Sequence, residues 1–134
     1  MQVIELAESL GVTPDTVRYY TRTGLLQPVK NPDNGYKEYS QKDQSRLRFI
    51  ASARQLGFSV KDITQILGEA DKGKSPCALS RELLEKRLKE TEQRFQEMVA
   101  LRQRMQAAVD AWQSKPNKEP NGEMICHLIE EFEG

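Results

Sequence analysis

Two cysteines, one histidine and one tryptophan in 134 residues leave little material for several kinds of function. With only Cys77 and Cys126, a structural disulfide is not expected. No signal-peptide pattern opens the chain, so a cytoplasmic location is expected, where both cysteines read as free thiols, ligands or sensors. A single histidine, His127, no Gly-rich phosphate loop and no nucleophile–base pairing leave catalysis without machinery, and no enzyme is expected. No apolar run approaches the ~20 residues of a membrane span, so no membrane partner is expected. Charge of one sign is also missing: 20 basic residues balance 20 acidic ones. That balance does not exclude nucleic acid, because the distribution of charge decides.

What is abundant is uninterrupted helix former. From about Ser75 to Gln113 a single long helix is expected, opened by Ser75-Pro76 and stopped ahead of Lys115-Pro116-Asn117. At 1.5 Å per residue it is a rod of roughly 55 Å, too long for the interior of a small domain. Cys77, Leu84, Thr91, Met98, Met105 and Trp112 recur every seven residues, with Leu88, Phe95, Leu101, Ala108 and Val109 beside them. A sustained heptad seam favours burial against another helix. Only one such helix is present, so the expected partner is its own copy in a two-fold homodimer. The rival, packing on the N-terminal domain, meets a domain too small to cover the seam. The direction of the two copies matters. If they run antiparallel and are centred between Thr91 and Met98, Leu84 meets Met105 and Cys77 meets Trp112.

Ahead of the rod the chain reads as a small helical domain over residues 1–73. Val3 to Leu10 is amphipathic and ends at Gly11, where a left-handed cap is wanted. Thr13 caps a second helix with Pro14 at its first position, and the pair forms a helix-turn-helix. Thr13, Thr16, Arg18, Tyr19 and Arg22 on the second helix are residue types that bind phosphates and base edges. Gln27 to Tyr39 lacks helical period. Asn34-Gly35 is a strong hairpin-turn signal and Tyr36 to Tyr39 alternates, so a small β wing presenting Lys30, Tyr36 and Lys37 is expected. Ser40 and Asp43 begin a third helix, with Leu47, Ile50, Ala51 and Leu56 inward. Ser59 caps a fourth, which fades over Gly68 to Gly73. From Arg18 to Lys61 nine basic residues face three acidic ones. A basic helix-turn-helix with a wing is an electrostatic footprint for DNA.

The order of these residues resembles the MerR family of bacterial transcription regulators. The resemblance rests on Ile4-Glu5-Leu6-Ala7 with Gly11-Val12, on Thr16-Val17-Arg18-Tyr19-Tyr20 leading to Gly24-Leu25-Leu26, on Gly35-Tyr36-Lys37-Glu38-Tyr39, and on Leu47-Arg48-Phe49-Ile50 leading to Leu56-Gly57-Phe58-Ser59. It implies a mainly α protein with a small β wing. A winged helix-turn-helix DNA-binding domain (1–73) would be followed by an antiparallel coiled-coil dimerisation helix (74–113) and an effector segment (114–134). The seam of Leu84, Leu88, Thr91, Phe95, Met98, Leu101, Met105 and Trp112 would form the dimer interface. Such a dimer would distort promoter DNA when its effector binds, acting on RNA polymerase indirectly through DNA shape. Lys37 stands where the family usually has Arg, which puts a bidentate phosphate contact there in doubt.

The ending resembles the metal-sensing branch of the family. Cys126, before a short two-turn helix, matches a ligand position. Cys77 matches the cysteine that the opposite subunit contributes in sensors of softer or tetrahedral metals. One match fails, because Trp112 occupies the place of a further loop cysteine. Cys77 of one chain with Cys126 and His127 of the other is the expected ligand set. It suits a divalent ion such as Zn²⁺, with Glu123, Asp110 or water as a fourth ligand. Three alternatives stay open: a thiol redox switch joining Cys77 to Cys126, an organic ligand stacked on Trp112, and a DNA-binding dimer that senses nothing.

Overall fold

The structure, a computed structural model, describes residues 1–134. Six helices and a two-stranded sheet follow in the order α1 (Val3–Leu10), α2 (Pro14–Arg22), β1 (Val29–Lys30), β2 (Lys37–Glu38), α3 (Gln41–Gln55), α4 (Val60–Asp71), α5 (Cys77–Trp112) and α6 (His127–Glu130). The chain clusters into two compact units, Met1–Arg87 and Leu88–Gly134, so the first turns of α5 belong with the N-terminal helices.

Each helix of the first unit begins where a side-chain oxygen can serve its orphan N–H groups. Thr13 Oγ1 accepts the Thr16 N–H at 3.2 Å, and the Ser40 and Ser59 hydroxyls accept from Asp43 and Asp62 at 3.2 and 3.0 Å. Asp43 and Asp62 return the bond to the cap N–H, completing capping boxes at both sites. Gly11, at φ 67°, ends α1 in the left-handed conformation that a β-carbon would strain.

The core is built from Leu6 and Ala7 of α1, Val17 and Tyr20 of α2, Leu25 and Leu26 after it, Leu47, Ile50 and Ala53 of α3, and Ile63, Ile66 and Leu67 of α4. Tyr39 and Phe58 close it from the connections, and Leu79, Leu83 and Leu84 at the start of α5 pack against it. Leu84 therefore serves its own domain as well as the expected seam.

Three expectations need correction. Leu56 is 63% exposed, not inward. The chain leaves α3 at this residue, turns at Gly57 (φ 94°), and returns Phe58 to the core with its N–H on Ala53 O at 3.2 Å. The wing is not closed by a two-residue Asn34-Gly35 turn, because no residue other than glycine has positive φ and such a turn needs two. The strands pair Val29 with Glu38 and Lys30 with Lys37, and a longer connection joins them. It is held by Asn31 Oδ1 accepting from the Asp33 N–H at 2.8 Å and Asn34 Oδ1 from the Tyr36 N–H at 2.9 Å. Finally, α6 has four residues, a single turn where two were expected.

The long helix runs from Cys77 to Trp112, just inside its expected bounds of Ser75 to Gln113, with Pro76 ahead of its first turn rather than in it. α5 has 36 residues and starts one position after Pro76, which at 1.5 Å per residue makes it about 54 Å long. Ala108 is its only buried residue. No helix in the chain is long and apolar enough to cross a membrane.

Candidate nucleic-acid interface and effector segment

The helix-turn-helix buries Val17 and Tyr20 and leaves the opposite side of α2 to solvent. Thr13, Arg18, Tyr19 and Arg22 are exposed and Thr16 half-buried. Two local contacts shape this face. Arg18 Nη1 lies 2.9 Å from Asp15 Oδ1, an exposed pair one turn apart that steadies the guanidinium without burying it. The Tyr19 ring meets Tyr20 edge-on, with centroids 5.0 Å apart, so buried Tyr20 orients exposed Tyr19.

The wing is tied to this helix. Tyr39, buried at the wing's end, has its hydroxyl 2.7 Å from Thr21 Oγ1 on α2, and Thr21 also donates to Val17 O at 2.8 Å. Arg18 of α2, Tyr36 and Lys37 of the wing, and Gln2, Val3 and Ile4 at the start of α1 line one cleft of about 210 Å³. Three of the expected DNA-contacting residues, separated by up to nineteen positions in the chain, thus share a site. Ile4, exposed at the same rim, was not among the expected contacts; its 60% exposure beside two cations is the signal that picks it out.

Two buried carboxylates hold the scaffold behind this face. Asp43 Oδ1 accepts the Gln27 N–H at 3.0 Å, pinning the segment that leads into the wing onto α3. Arg46 reinforces the same corner by donating from Nε to Leu25 O and from Nη1 to Asp71, both at 2.9 Å. Asp62, at the start of α4, is gripped by Arg87 of α5: Nε to Oδ2 at 2.6 Å, Nη2 to Oδ1 at 3.2 Å, and Nη2 to Ser59 Oγ at 3.0 Å. The Arg87 guanidinium, with help from Ser59 and against the cost of burial, lowers the Asp62 carboxyl to a pKa of about 2. The partner of Arg87 lies 25 positions back and no local pattern in the sequence announces it.

The second unit carries residues 114–134, the expected effector segment. Along α5, Leu88, Phe95, Met98 and Met105 are large, apolar and exposed, and Leu101 is half-buried. Thr91, between them, is exposed as well. At the end of α5 the Trp112 Nε1–H donates to Leu128 O at 3.1 Å, and its ring meets Phe132 edge-on at 6.5 Å. Cys126 is half-buried at the start of α6. His127, 3% exposed, has Nε2 2.8 Å from Pro116 O and Nδ1 3.3 Å from Glu131 Oε2. The His127 hydrogen bond, aided by Lys118, lowers the Glu131 carboxyl below its ordinary range.

Both imidazole nitrogens already have partners, and within neither unit do three Cys, His, Asp or Glu side chains converge on one point. Asp110 accepts from Gln106 at 3.0 Å. Cys77 is exposed at the start of α5, in the first unit.

A helix-turn-helix and wing with exposed cations on one side, followed by a long helix with an apolar stripe, define a DNA-binding transcription regulator rather than an enzyme. The chain belongs to the MerR family. The family model for MerR HTH regulatory proteins matches residues 1–70, and that for the MerR DNA-binding region matches residues 44–108. The HTH-type transcriptional regulator ZntR of Escherichia coli K12 is 36% identical over 108 residues, 80% of this chain and 77% of that protein. HmrR of Rhizobium leguminosarum bv. viciae, another HTH-type transcriptional regulator, is 31% identical over 132 residues, 98% of this chain and 97% of its own. The lead(II) complex of the transcription regulator PbrR691 from Ralstonia metallidurans CH34 shares the fold. Its TM-score is 0.75, its identity 20%, and it covers 98% of this chain and 99% of that one.

Proposed function

We propose that the chain works as a homodimer that binds two operator half-sites and distorts the promoter between them in response to a thiophilic divalent metal ion. The DNA reading is carried by one observation: Arg18, Tyr36 and Lys37 line a single cleft beside the exposed face of α2. Arg18, Arg22 and Lys37 neutralise phosphates, and Thr13, Thr16 and Tyr19 reach base edges and sugar. Lys37 supplies charge without the planar fork of an arginine, so its contact is a point charge on one phosphate oxygen.

Dimerisation is supported by the exposed stripe of Leu88, Phe95, Met98 and Met105. Burying side chains of this size gains about 1.5–3 kcal/mol each, ample to hold two helices together. An antiparallel pairing seats Leu88, Thr91, Phe95, Met98 and Leu101 centrally, with Leu84, Met105 and Trp112 toward the ends. It also brings Cys77 of one subunit toward the effector segment of the other. Two-fold symmetry then matches a pseudo-palindromic operator whose half-sites are spaced by helical turns.

For the metal, the donors are Cys126 of one subunit and Cys77 of its partner. Two thiolates suit Zn²⁺ and softer ions, and the metal would supply a cross-link between the subunits. His127, with both ring nitrogens engaged, leaves the expected ligand set and takes a supporting role. PbrR691, which shares the fold, is seen in complex with lead(II), a soft divalent ion of this kind. In a transcription assay on a promoter that the chain binds, activation should depend on added Zn²⁺, Cd²⁺ or Pb²⁺ and vanish in Cys126→Ser. Equal transcription with metal and with chelator would refute the metal reading and leave a DNA-binding dimer.

A further inference from the structure

We propose that Trp112 and His127 are positioning residues that fold residues 114–132 onto the end of α5 and set the backbone around Cys126 before any effector arrives. That Cys126 is an effector ligand rests on the function proposed above; the closure itself stands on contacts within one chain.

Those contacts come from both ends of the segment. Trp112 holds Leu128 through its indole N–H and Phe132 through its ring edge. Ala108, on the same face one turn earlier, is buried, and Met105, Ala108, Trp112, Ile129 and Phe132 share one apolar hollow. His127 spans the segment in the other direction. The Pro116 carbonyl can only accept, so Nε2 donates to it at 2.8 Å and staples the beginning of the segment to its end. A buried ring so used restrains a loop at both sides, whereas an exposed one would gain little.

Side-chain acceptors then hold the backbone between these anchors. Asn121 Oδ1 accepts the N–H groups of Glu123 and Met124 at 2.8 and 3.0 Å. Glu130 Oε2 accepts those of Ile125 and Cys126 at 2.9 and 2.6 Å. The peptide on the N-terminal side of Cys126 is therefore fixed, while its side chain stays half-exposed. A ligand held this way loses little conformational freedom on binding, so affinity is gained by preorganisation rather than by extra donors. This gives Trp112 a role at the position where the resemblance implies a thiol: a hydrogen-bonded indole, edge-on to Phe132, closes the loop.

Hydrogen exchange of the full-length dimer in the presence of chelator tests the proposal at the amides of residues 125–131. They should exchange at least about ten-fold slower than an unstructured chain, and excess Zn²⁺ should change them by less than about two-fold. Trp112→Phe keeps the ring and loses the N–H, so exchange should rise about five-fold, the weight of one hydrogen bond. His127→Ala should open the segment, and His127→Gln, whose amide can donate to Pro116 O, should restore most of the protection. Because Trp112 is the only tryptophan, Phe132→Ala should also raise its quenching by acrylamide with chelator present. Unstructured exchange in chelator that becomes protected only with Zn²⁺, or His127→Gln as open as His127→Ala, would overturn the proposal. Native mass spectrometry with Zn²⁺ added separates the two ideas: a dimer that takes up no ion sinks the metal reading, while protection of the same amides in chelator leaves the closure standing.

Discussion

Removing the Arg87 side chain should cost about 2 kcal/mol of stability at neutral pH and almost nothing at pH 2. The Asp62 carboxyl, 4% exposed, moves from an ordinary 3.8 to about 2 in the folded chain, chiefly because Arg87 grips it. At about 1.36 kcal/mol per pH unit the shift corresponds to roughly 2 kcal/mol. The folded value is the lower one, so this stability is fully present above pH 3.8 and lost as pH falls through about 2. Arg87→Ala leaves Asp62 its Ser59 contacts but strips the partner that offset its burial. For a chain of this size the melting temperature should fall by about 6 °C at pH 7. Urea unfolding of wild type and variant, at one chain concentration and several pH values, gives the comparison. A difference that is absent at pH 7, or equally large at pH 2, would refute the pairing as the source of the shift.

Arg18→Ala should weaken operator binding and lower the salt slope of log K by about one unit, measured by fluorescence anisotropy across salt. Tyr39→Phe should cost about 1 kcal/mol through the lost bond to Thr21 and loosen the wing, seen as faster exchange at β2. Phe95→Asp with Met98→Asp should convert the dimer into a monomer in sedimentation velocity while α1–α4 remain folded.

Most of the fold was legible because its punctuation is local. Thr13, Ser40 and Ser59 announce helix starts within three residues of the N–H groups they serve, and Gly11 marks an end by a conformation other residues avoid. The heptad stripe of α5 is legible for the same reason. What escaped depends on chain direction or on distant partners. Leu56 fits the inner period of α3, but the helix stops before it and Phe58 takes the space. Asn34-Gly35 is a strong hairpin dipeptide, yet it serves a wider connection set by Asn31. The residue types near the effector segment were visible, whereas the use of His127 was not. Its acceptor is Pro116, eleven positions back, and a histidine beside a cysteine reads equally as ligand or strut until that carbonyl is placed.

The central claim is that a second subunit completes the effector site, and mixed dimers test it directly. Cys77→Ser and Cys126→Ser chains, each carrying a different tag, should as pure dimers hold no metal. When co-expressed and purified as a heterodimer, they should regain one ion. In that heterodimer one shared site has both thiols and the other has neither. Native mass spectrometry with Zn²⁺ should therefore read one metal per mixed dimer against two in wild type. A mixed dimer that binds none, or a pure Cys77→Ser dimer that still binds two, would contradict the account.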